Sequence, residues 1–189
     1  MKEIEVVYKV LSPKAAVLKK LRRFKHVGIK HTVDVYYYDP LRPDLKPDRE
    51  HRLHSAFRLR VKAGQPYLTY KKDHFAKSGA WAYTDEHETA IADAATAARI
   101  IEHLGLKPLV KLDMRKHTYV HGPYEIVFEE VKKLGTFLEV ELRRPSHASV
   151  KTEMNKIRSF VATLGLKLEE KHMGKPEMMV QKQTTRKYS

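Results

Sequence analysis

Several short stretches of the chain alternate charged and apolar residues with a period of two. Segment 57–61 reads Phe-Arg-Leu-Arg-Val, segment 138–142 reads Leu-Glu-Val-Glu-Leu, and segments 3–5 and 110–115 repeat the pattern. Successive side chains of a β-strand point to opposite faces, so each stretch predicts a strand with one charged and one apolar face. A sheet with its polar face in water would explain one such strand. Several of them, acidic near both chain ends and basic between, predict charges that share one cavity.

The remaining pattern predicts an α+β protein with about eight strands and three main helices. The expected strands are 2–10, 31–39, 55–63, 66–72, 81–91, 108–120, 124–131 and 136–143. Helices are expected after Ser12-Pro13, with Ser12 as the N-cap, from Asp93, also as a cap, to Leu104 and over about 147–164, with a short one near 175–181. Hairpin connections such as Ala63-Gly64-Gln65 favour an antiparallel sheet or barrel. A closed eight-stranded barrel would gather the charges into a tunnel wide enough for one small ligand.

Composition narrows the class of partner. The 189 residues carry a net charge of +14, which favours an anionic partner, and a cavity of mixed charge suits a polyphosphate with a divalent metal. The basic run 19–25 is interpreted as a solvated helix face. RNA binding is the alternative, but the sequence lacks an exposed basic run with aromatic platforms, so a nucleic-acid partner is not expected. The absence of cysteine, of a signal sequence and of a membrane-length apolar run predicts a cytoplasmic protein without membrane association.

Seven short motifs, in order along the chain, resemble the CYTH superfamily, which includes class IV adenylate cyclases, thiamine triphosphatases and inorganic triphosphatases. The matching segments are Glu3-Ile4-Glu5, His31 to Tyr37, Phe57 to Arg60, Thr69-Tyr70-Lys71, Glu86-His87-Glu88, Lys111 to Tyr119, and Leu134 to Glu141. Each is weak alone, and together they are specific. The resemblance runs from Glu3 to about Leu168, and the expected domains are a CYTH-like domain at 1–172 and a short basic helix and tail at 173–189.

The resemblance implies a triphosphate tunnel, an eight-stranded antiparallel closed barrel in which basic side chains hold phosphate and glutamates hold Mg²⁺ or Mn²⁺. By similarity, the phosphate-binding residues are Arg58, Arg60, Lys71, Lys111 and Arg115, with Lys71 and Arg115 as catalytic residues. The implied metal-binding residues are Glu3, Glu5, Glu139, Glu141 and Glu129. The class IV cyclase branch is the nearest, which implies conversion of ATP to cyclic AMP and pyrophosphate, and a homodimer is plausible by family.

Several positions depart from the family pattern, among them Glu129-Glu130 and His172, and two of them keep other functions open. Val7 stands where the opening motif has a lysine, and Thr84 stands where an arginine is frequent. Lys9, on the same strand face as Val7, is predicted to compensate as a substrate-binding cation. The alternatives are hydrolysis of tripolyphosphate or thiamine triphosphate, and non-catalytic binding of a polyphosphate or nucleotide.

Overall fold

The computed structural model describes residues 2–75, 81–144 and 148–187. The strands are β1 (Lys2–Glu3), β2 (Glu5–Val10), β3 (Lys25–Tyr38), β4 (Ser55–Lys62), β5 (Gln65–Phe75), β6 (Trp81–Ala90), β7 (Lys107–His121), β8 (Tyr124–Val131), β9 (Gly135–Leu142) and β10 (Leu168–Lys171). The α-helices are α1 (Lys14–Leu21), α2 (Ala94–His103), α3 (Val150–Ala162) and α4 (Lys175–Lys187), and Pro43–Leu45 form a 3₁₀ turn. No helix within these ranges has the length and apolar character to cross a bilayer.

All the described strands form one antiparallel sheet in the order β1-β6-β5-β4-β3-β7-β8-β9-β2-β10. The two strands at the start of the chain lie far apart in this order, although Ile4 alone separates them. Residues 2–3 pair with β6. Residues 5–10 form β2, which pairs with β9 on one side and with β10 on the other. One N-terminal segment therefore contacts both ends of the main run of strands.

Two groups of helices cover the outer face of the sheet. Helices α1 and α3 bury Val17, Leu21 and Ile157 against apolar side chains of β2, β8 and β9, among them the fully buried Phe128. Helix α2 buries Ile101 against β3 and β4 in a smaller cluster. Since neighbouring side chains on these strands alternate, packing the apolar set outward turns the charged set of β2, β4 and β9 inward.

The C-terminal helix α4 packs on the opposite, inner face. Its Met179 lies in a buried cluster with Leu112 and Met114 of β7 and Phe137 of β9. Apolar residues therefore fill one end of the inner face, and the charged residues occupy the rest. The helix begins at Lys175, so the first turn of α4 lies next to the charged region.

The α+β class and the antiparallel sheet predicted from the pattern are confirmed. The hairpin expected between β4 and β5 is present, but its turn has two residues rather than the expected three, with Ala63 and Gly64 at positive φ angles of 49° and 85° between paired Lys62 and Gln65. Asp93 caps α2 by accepting a hydrogen bond from the backbone N–H of Thr96 at 2.7 Å. The cap expected at Ser12 is wrong, because its hydroxyl accepts from the N–H of Lys167 instead.

The structure corrects several element boundaries. The first predicted strand is divided at Ile4, β3 begins at Lys25 rather than at residue 31, and β10 was not predicted. The third main helix begins at Val150, with Ser149 as its cap, and the start expected at residue 147 falls outside the described residues. Helix α4 continues to Lys187, well beyond the expected end near 181.

The cluster beneath α1 and α3 predicts a large penalty for truncating Phe128. Phe128→Ala removes a ring with no solvent exposure, and such changes destabilise by about 3–5 kcal/mol because the cavity only partly collapses. Urea unfolding monitored by circular dichroism measures this value. Leu41→Ala is the control, since Leu41 is 89 % exposed and should change stability by less than about 0.5 kcal/mol. Similar values for both variants would contradict the packing described here.

Candidate functional site

A cavity of about 1440 Å³ occupies the inner face of the sheet and also reaches residues on the outer side. Strands β2 to β10 and the first turn of α4 line its inner part, and α3 with Glu170 of β10 lines the part on the outer side. Its charged walls comprise Glu5, Lys30, Asp34, Arg52, Arg58, Arg60, Lys62, Lys71, Asp73, Glu86, Glu88, Lys116, Glu125, Glu139, Glu141, Lys151, Arg158, Glu170, Lys171, Lys175 and Glu177. The shared cavity predicted from the alternating charges is therefore present.

An arginine pair on β4 dominates one wall. The Arg60 guanidinium donates two parallel hydrogen bonds to the Asp34 carboxylate, at 2.8 and 2.7 Å, and the buried Arg58 donates to the Tyr36 hydroxyl at 3.1 Å. Burial alone would raise the pKa of Asp34, but the hydrogen bonds from Arg60 and the charge of Arg58 lower it overall. The pair is thus fully charged and held in place by neighbours on β3.

Two further strands complete this wall. The Lys71 ammonium on β5 lies 2.8 Å from the Glu86 carboxylate on β6, and the Thr69 hydroxyl donates to Glu88 at 2.8 Å. Arg58 lies 3.5 Å from Glu86, which joins the two groups. The buried Nε of Arg58 has no hydrogen-bond partner among the described residues.

The opposite wall carries carboxylates in register. Glu141 of β9 lies directly across from Glu5 of β2 on one side and from Glu125 of β8 on the other. Residues opposite each other on neighbouring strands share a face and lie about 5 Å apart, so three carboxylates form a row. Such a row repels itself unless cations compensate it.

Cations approach the same wall from two directions. The Glu129 carboxylate, which has no solvent exposure, lies 2.5 Å from Lys116 of β7 and 2.5 Å from Lys175 of α4. Lys175 also contacts the carboxylate of Glu139. Burial would lower the pKa of Lys175, but the charges of Glu129 and Glu139 raise it well above its usual range. Burial likewise opposes ionisation of Glu139, but Lys175 and Lys116 lower its pKa overall.

The first turn of α4 is also tied to the loop before β4. The Glu177 carboxylate accepts hydrogen bonds from the backbone N–H groups of Leu53, at 2.6 Å, and Gly174. Burial raises the pKa of Glu177 to about 7, against the lowering effect of these two donors. Glu177 therefore anchors the loop and the helix at the edge of the cavity.

The structure brings together most, but not all, of the site residues predicted from the sequence. Arg58, Arg60, Lys71, Glu5, Glu139 and Glu141 line the cavity, and Glu129 faces it through its contacts with Lys116 and Lys175. Glu3 pairs with Thr84 through the backbone, and its side chain falls outside the described side chains. Lys9 does not line the cavity; it lies opposite Phe137 and Glu169, towards the apolar end.

The expected placement of Lys111 and Arg115 in the cavity is wrong. Both are exposed on the outer face of β7, where Arg115 lies beside a shallow depression. The inner face of this strand carries Leu112, Met114 and Lys116 instead, because the apolar residues pack against α4. Lys116, which lines the cavity and contacts Glu129, was not among the predicted site residues.

Other charged residues of the cavity could not be assigned from a period-two pattern. Lys175 lies in a helix that the sequence places after the domain, and Lys171 lies in the unpredicted β10. Asp34 was part of a matching motif, but only the structure shows that it orients Arg60. No three His, Asp or Glu side chains within residues 2–75, 81–144 and 148–187 are close enough to hold a metal ion. A metal at the acidic row would require these carboxylates to converge.

The fold and the cavity define a class of proteins in which one antiparallel sheet carries opposed charges on its inner face. The chain matches the family model described as CYTH domain over residues 1–172 and belongs to that family. It is 28 % identical over 143 residues to a Methanocaldococcus jannaschii protein provisionally named an adenylate cyclase, covering 75 % of this chain and 77 % of that protein.

Solved structures share the same fold. A protein from Pyrococcus horikoshii superimposes with a TM-score of 0.79 at 23 % identity, covering 95 % of this chain and 99 % of that one. A Hippeastrum protein, described as an adenylyl cyclase with a dominant triphosphatase activity, gives a TM-score of 0.65 at 16 % identity, with 93 % of both chains covered. At these identities the likeness concerns the fold.

The raised pKa of Glu177 predicts a pH-dependent contribution to stability. Between its usual pKa near 4.5 and about 7, the folded state binds a proton more tightly than the unfolded state. The protonated carboxyl of Glu177 thus contributes to the free energy of unfolding at pH 4.5, and this contribution is lost as the pH rises through 7. Glu177→Gln cannot titrate and lacks this pH-dependent contribution. The free energy of unfolding of the variant minus that of wild type should therefore rise by about 2–3 kcal/mol between pH 4.5 and pH 8.

Urea unfolding at a series of pH values measures this difference. Glu102→Gln, on the exposed surface of α2, is the control and should show the same pH dependence as wild type. A Glu177→Gln curve parallel to wild type across this pH range would show that the carboxyl does not titrate as described.

Proposed function

We propose that the protein is a metal-dependent enzyme that binds triphosphates in the charged cavity and converts ATP to cyclic AMP and pyrophosphate, as in class IV adenylate cyclases. The carrying observation is that Arg58, Arg60 and Lys71 project into the same cavity as the carboxylate row Glu5, Glu141 and Glu125. Arginine binds phosphate oxygens bidentately and lysine adds a point charge. The family and the name of the M. jannaschii relative agree with this substrate class.

We also infer that the sheet closes into a tunnel. The N-terminal segment pairs with β6 through residues 2–3 and with β9 through residues 5–10, so a continuous backbone joins both ends of the main run of strands. Closure would exclude water from the cavity and strengthen each charge interaction inside it. The apolar cluster around Met179 would then seal one end, leaving entry from the other.

The carboxylate wall fits Mg²⁺ or Mn²⁺ by the chemistry of its donors, since hard divalent ions prefer oxygen ligands. Glu5, Glu139 and Glu141 would hold the ion, with Glu129 behind them. Lys175 already pairs with Glu139, so a bound ion would compete with this lysine for the Glu139 carboxylate. When bound, the metal would neutralise phosphate charge and favour deprotonation of the attacking oxygen.

The side chains of the chain itself position the phosphates and stabilise charge. Arg58 and Arg60 would hold the phosphate chain from β4, and Lys71 and Lys116 would face it from β5 and β7. In cyclisation, the ribose 3′-oxygen bonds to the α-phosphorus as the bond to the pyrophosphate oxygen breaks, and the leaving group gains negative charge. Fixed cations in a dry cavity stabilise that charge more than water does.

Hydrolysis is the second candidate. The same cations could hold tripolyphosphate or thiamine triphosphate while water attacks the terminal phosphorus. The described triphosphatase activity of the Hippeastrum protein, which shares the fold, makes phosphate a product to measure beside cyclic AMP. A non-catalytic binder is the third candidate, and Val7 motivates it because it removes a cation from the opening motif.

Product analysis separates these candidates. The protein is incubated with ATP, thiamine triphosphate and tripolyphosphate, each with Mg²⁺, with Mn²⁺ and with a chelator. The proposal expects cyclic AMP and pyrophosphate in equal amounts from ATP, and only with metal. Phosphate release alone would favour hydrolysis, tight binding without product would favour the binder, and neither binding nor product would exclude all three.

The placement of β7 predicts opposite outcomes for two lysines on that strand. Lys116→Ala removes a cavity cation and should lower kcat/KM on the order of 10²-fold, as for loss of one stabilising donor. Lys111→Ala removes an exposed charge on the outer face and should change kcat/KM less than about twofold. Steady-state kinetics with the substrate identified above measures both.

Lys116→Arg keeps the charge and should retain most of the activity. Thermal unfolding of each variant checks that loss of Lys116 has not unfolded the protein, since Glu129 would keep Lys175 as its partner. A large effect of Lys111→Ala with none for Lys116→Ala would contradict the placement of Lys116 on the inner face and Lys111 on the outer face of β7.

A further inference from the structure

Lys171 is the last residue of β10 and lies directly opposite Val7 of β2. Opposed residues of an antiparallel pair point to the same face, and both Val7 and Lys171 line the cavity. The next residue back, Glu170, lies opposite Tyr8 of the outer apolar cluster, and Arg158 of α3 donates to its carboxylate at 2.7 Å. Since side chains alternate along a strand, the Lys171 side chain lies on the inner face with Val7.

Position 7 lies between two charged neighbours on the same face. Glu139 of β9 opposes Val7 on one side and Lys171 opposes it on the other, at about the spacing between adjacent strands, 5 Å. The four-carbon stem of lysine spans that distance, so the Lys171 ammonium can reach the space above Val7. This is the space that a lysine at position 7 would fill.

The cavity cations of this region differ in how strongly they are engaged. Lys116 and Lys175 are committed to the buried Glu129 and to Glu139. Lys171 instead pairs with Glu169, two residues away, at 2.5 Å, and the Glu169 side chain is 52 % exposed. Exposed ion pairs of this kind contribute little stability. Lys171 can therefore exchange Glu169 for a ligand at little cost.

We propose that Lys171 is a phosphate-binding residue of the cavity and supplies from β10 the positive charge that Val7 does not provide. The inference rests on the proposed function, because it assumes a polyphosphate in the cavity. It assigns a role to β10, the strand that follows α3 in the chain and forms part of the cavity wall. Lys9, the residue predicted from the sequence for this compensation, lies at the apolar end instead.

Binding of inorganic tripolyphosphate to the full chain, measured by titration calorimetry without divalent metal, tests the proposal. Lys171→Ala should raise the Kd roughly five- to tenfold, the effect of losing one charge-assisted contact. The matched control is Lys167→Ala, an exposed lysine just before β10, which should change the Kd less than about twofold. Both variants lose one positive charge, so a difference between them reports position rather than net charge.

A charge-relocation variant makes the test specific. Val7→Lys in the Lys171→Ala background should restore the Kd to within about threefold of wild type, because the new ammonium enters the same space. Val7→Lys should lower the Kd less in the wild-type background than in the Lys171→Ala background, because Lys171 already supplies a charge there. Thermal unfolding confirms that each variant is folded.

The outcomes distinguish failure of the proposed function from failure of the role assigned to Lys171. If the wild type does not bind tripolyphosphate, the proposed function fails and this inference fails with it. If the wild type binds and Lys171→Ala equals wild type or Lys167→Ala, the inference alone is overturned. A loss in Lys171→Ala that Val7→Lys does not restore would overturn the claim that Lys171 replaces a cation at position 7.

Discussion

The buried carboxylate of Glu129 is the constraint on which the interior depends. A carboxylate without solvent exposure is tolerated only with close partners, and Glu129 has Lys116 from β7 and Lys175 from α4. Removing one partner of such a buried group typically costs about 3–5 kcal/mol. Since Lys175 lies 46 residues further along the chain, this requirement holds the C-terminal helix against the inside of the sheet.

The position of α4 in turn organises the cavity. Its apolar residues, among them Met179, meet Leu112, Met114 and Phe137 and fill one end of the inner face. Its first turn brings Lys175 and Glu177 to the charged region, and Glu177 fixes the loop at Leu53. One helix therefore closes an end of the cavity, contributes charge to its wall and positions a loop at its edge.

The walls show how a protein holds many charges in one interior. The arginine pair on β4 is balanced by Asp34 and Glu86, and the glutamates on β8 and β9 are balanced by Lys116 and Lys175. The arginine wall is nearly neutral by itself, so burial of its charges is affordable, whereas the carboxylate wall holds more carboxylates than lysines because Glu5, Glu125 and Glu141 lie beside Glu129 and Glu139. A polyphosphate with a divalent metal, the ligand of the proposed function, would bring both signs of charge to these walls.

The wrong placement of Lys111 and Arg115 has a physical origin in the packing of β7. On β4 and β9 the apolar residues pack outward against helices, and the charged residues therefore point inward, as the alternation predicted. On β7 the apolar residues Leu112 and Met114 point inward to α4, so the charged residues Lys111 and Arg115 point outward. The period of two was correct on all three strands, and only its phase on β7 was reversed.

The sequence by itself determined most of the strands, the hairpin connection at 63–65, the capped helix α2 and the existence of a face lined with opposite charges. These follow from local geometry, because alternation, turn chemistry and capping depend on residues a few positions apart. The tertiary structure alone decided which face of β7 is inside, where β10 pairs and which cations serve Glu129. Those depend on contacts between distant segments, and no local pattern specifies which segment returns to fill the interior.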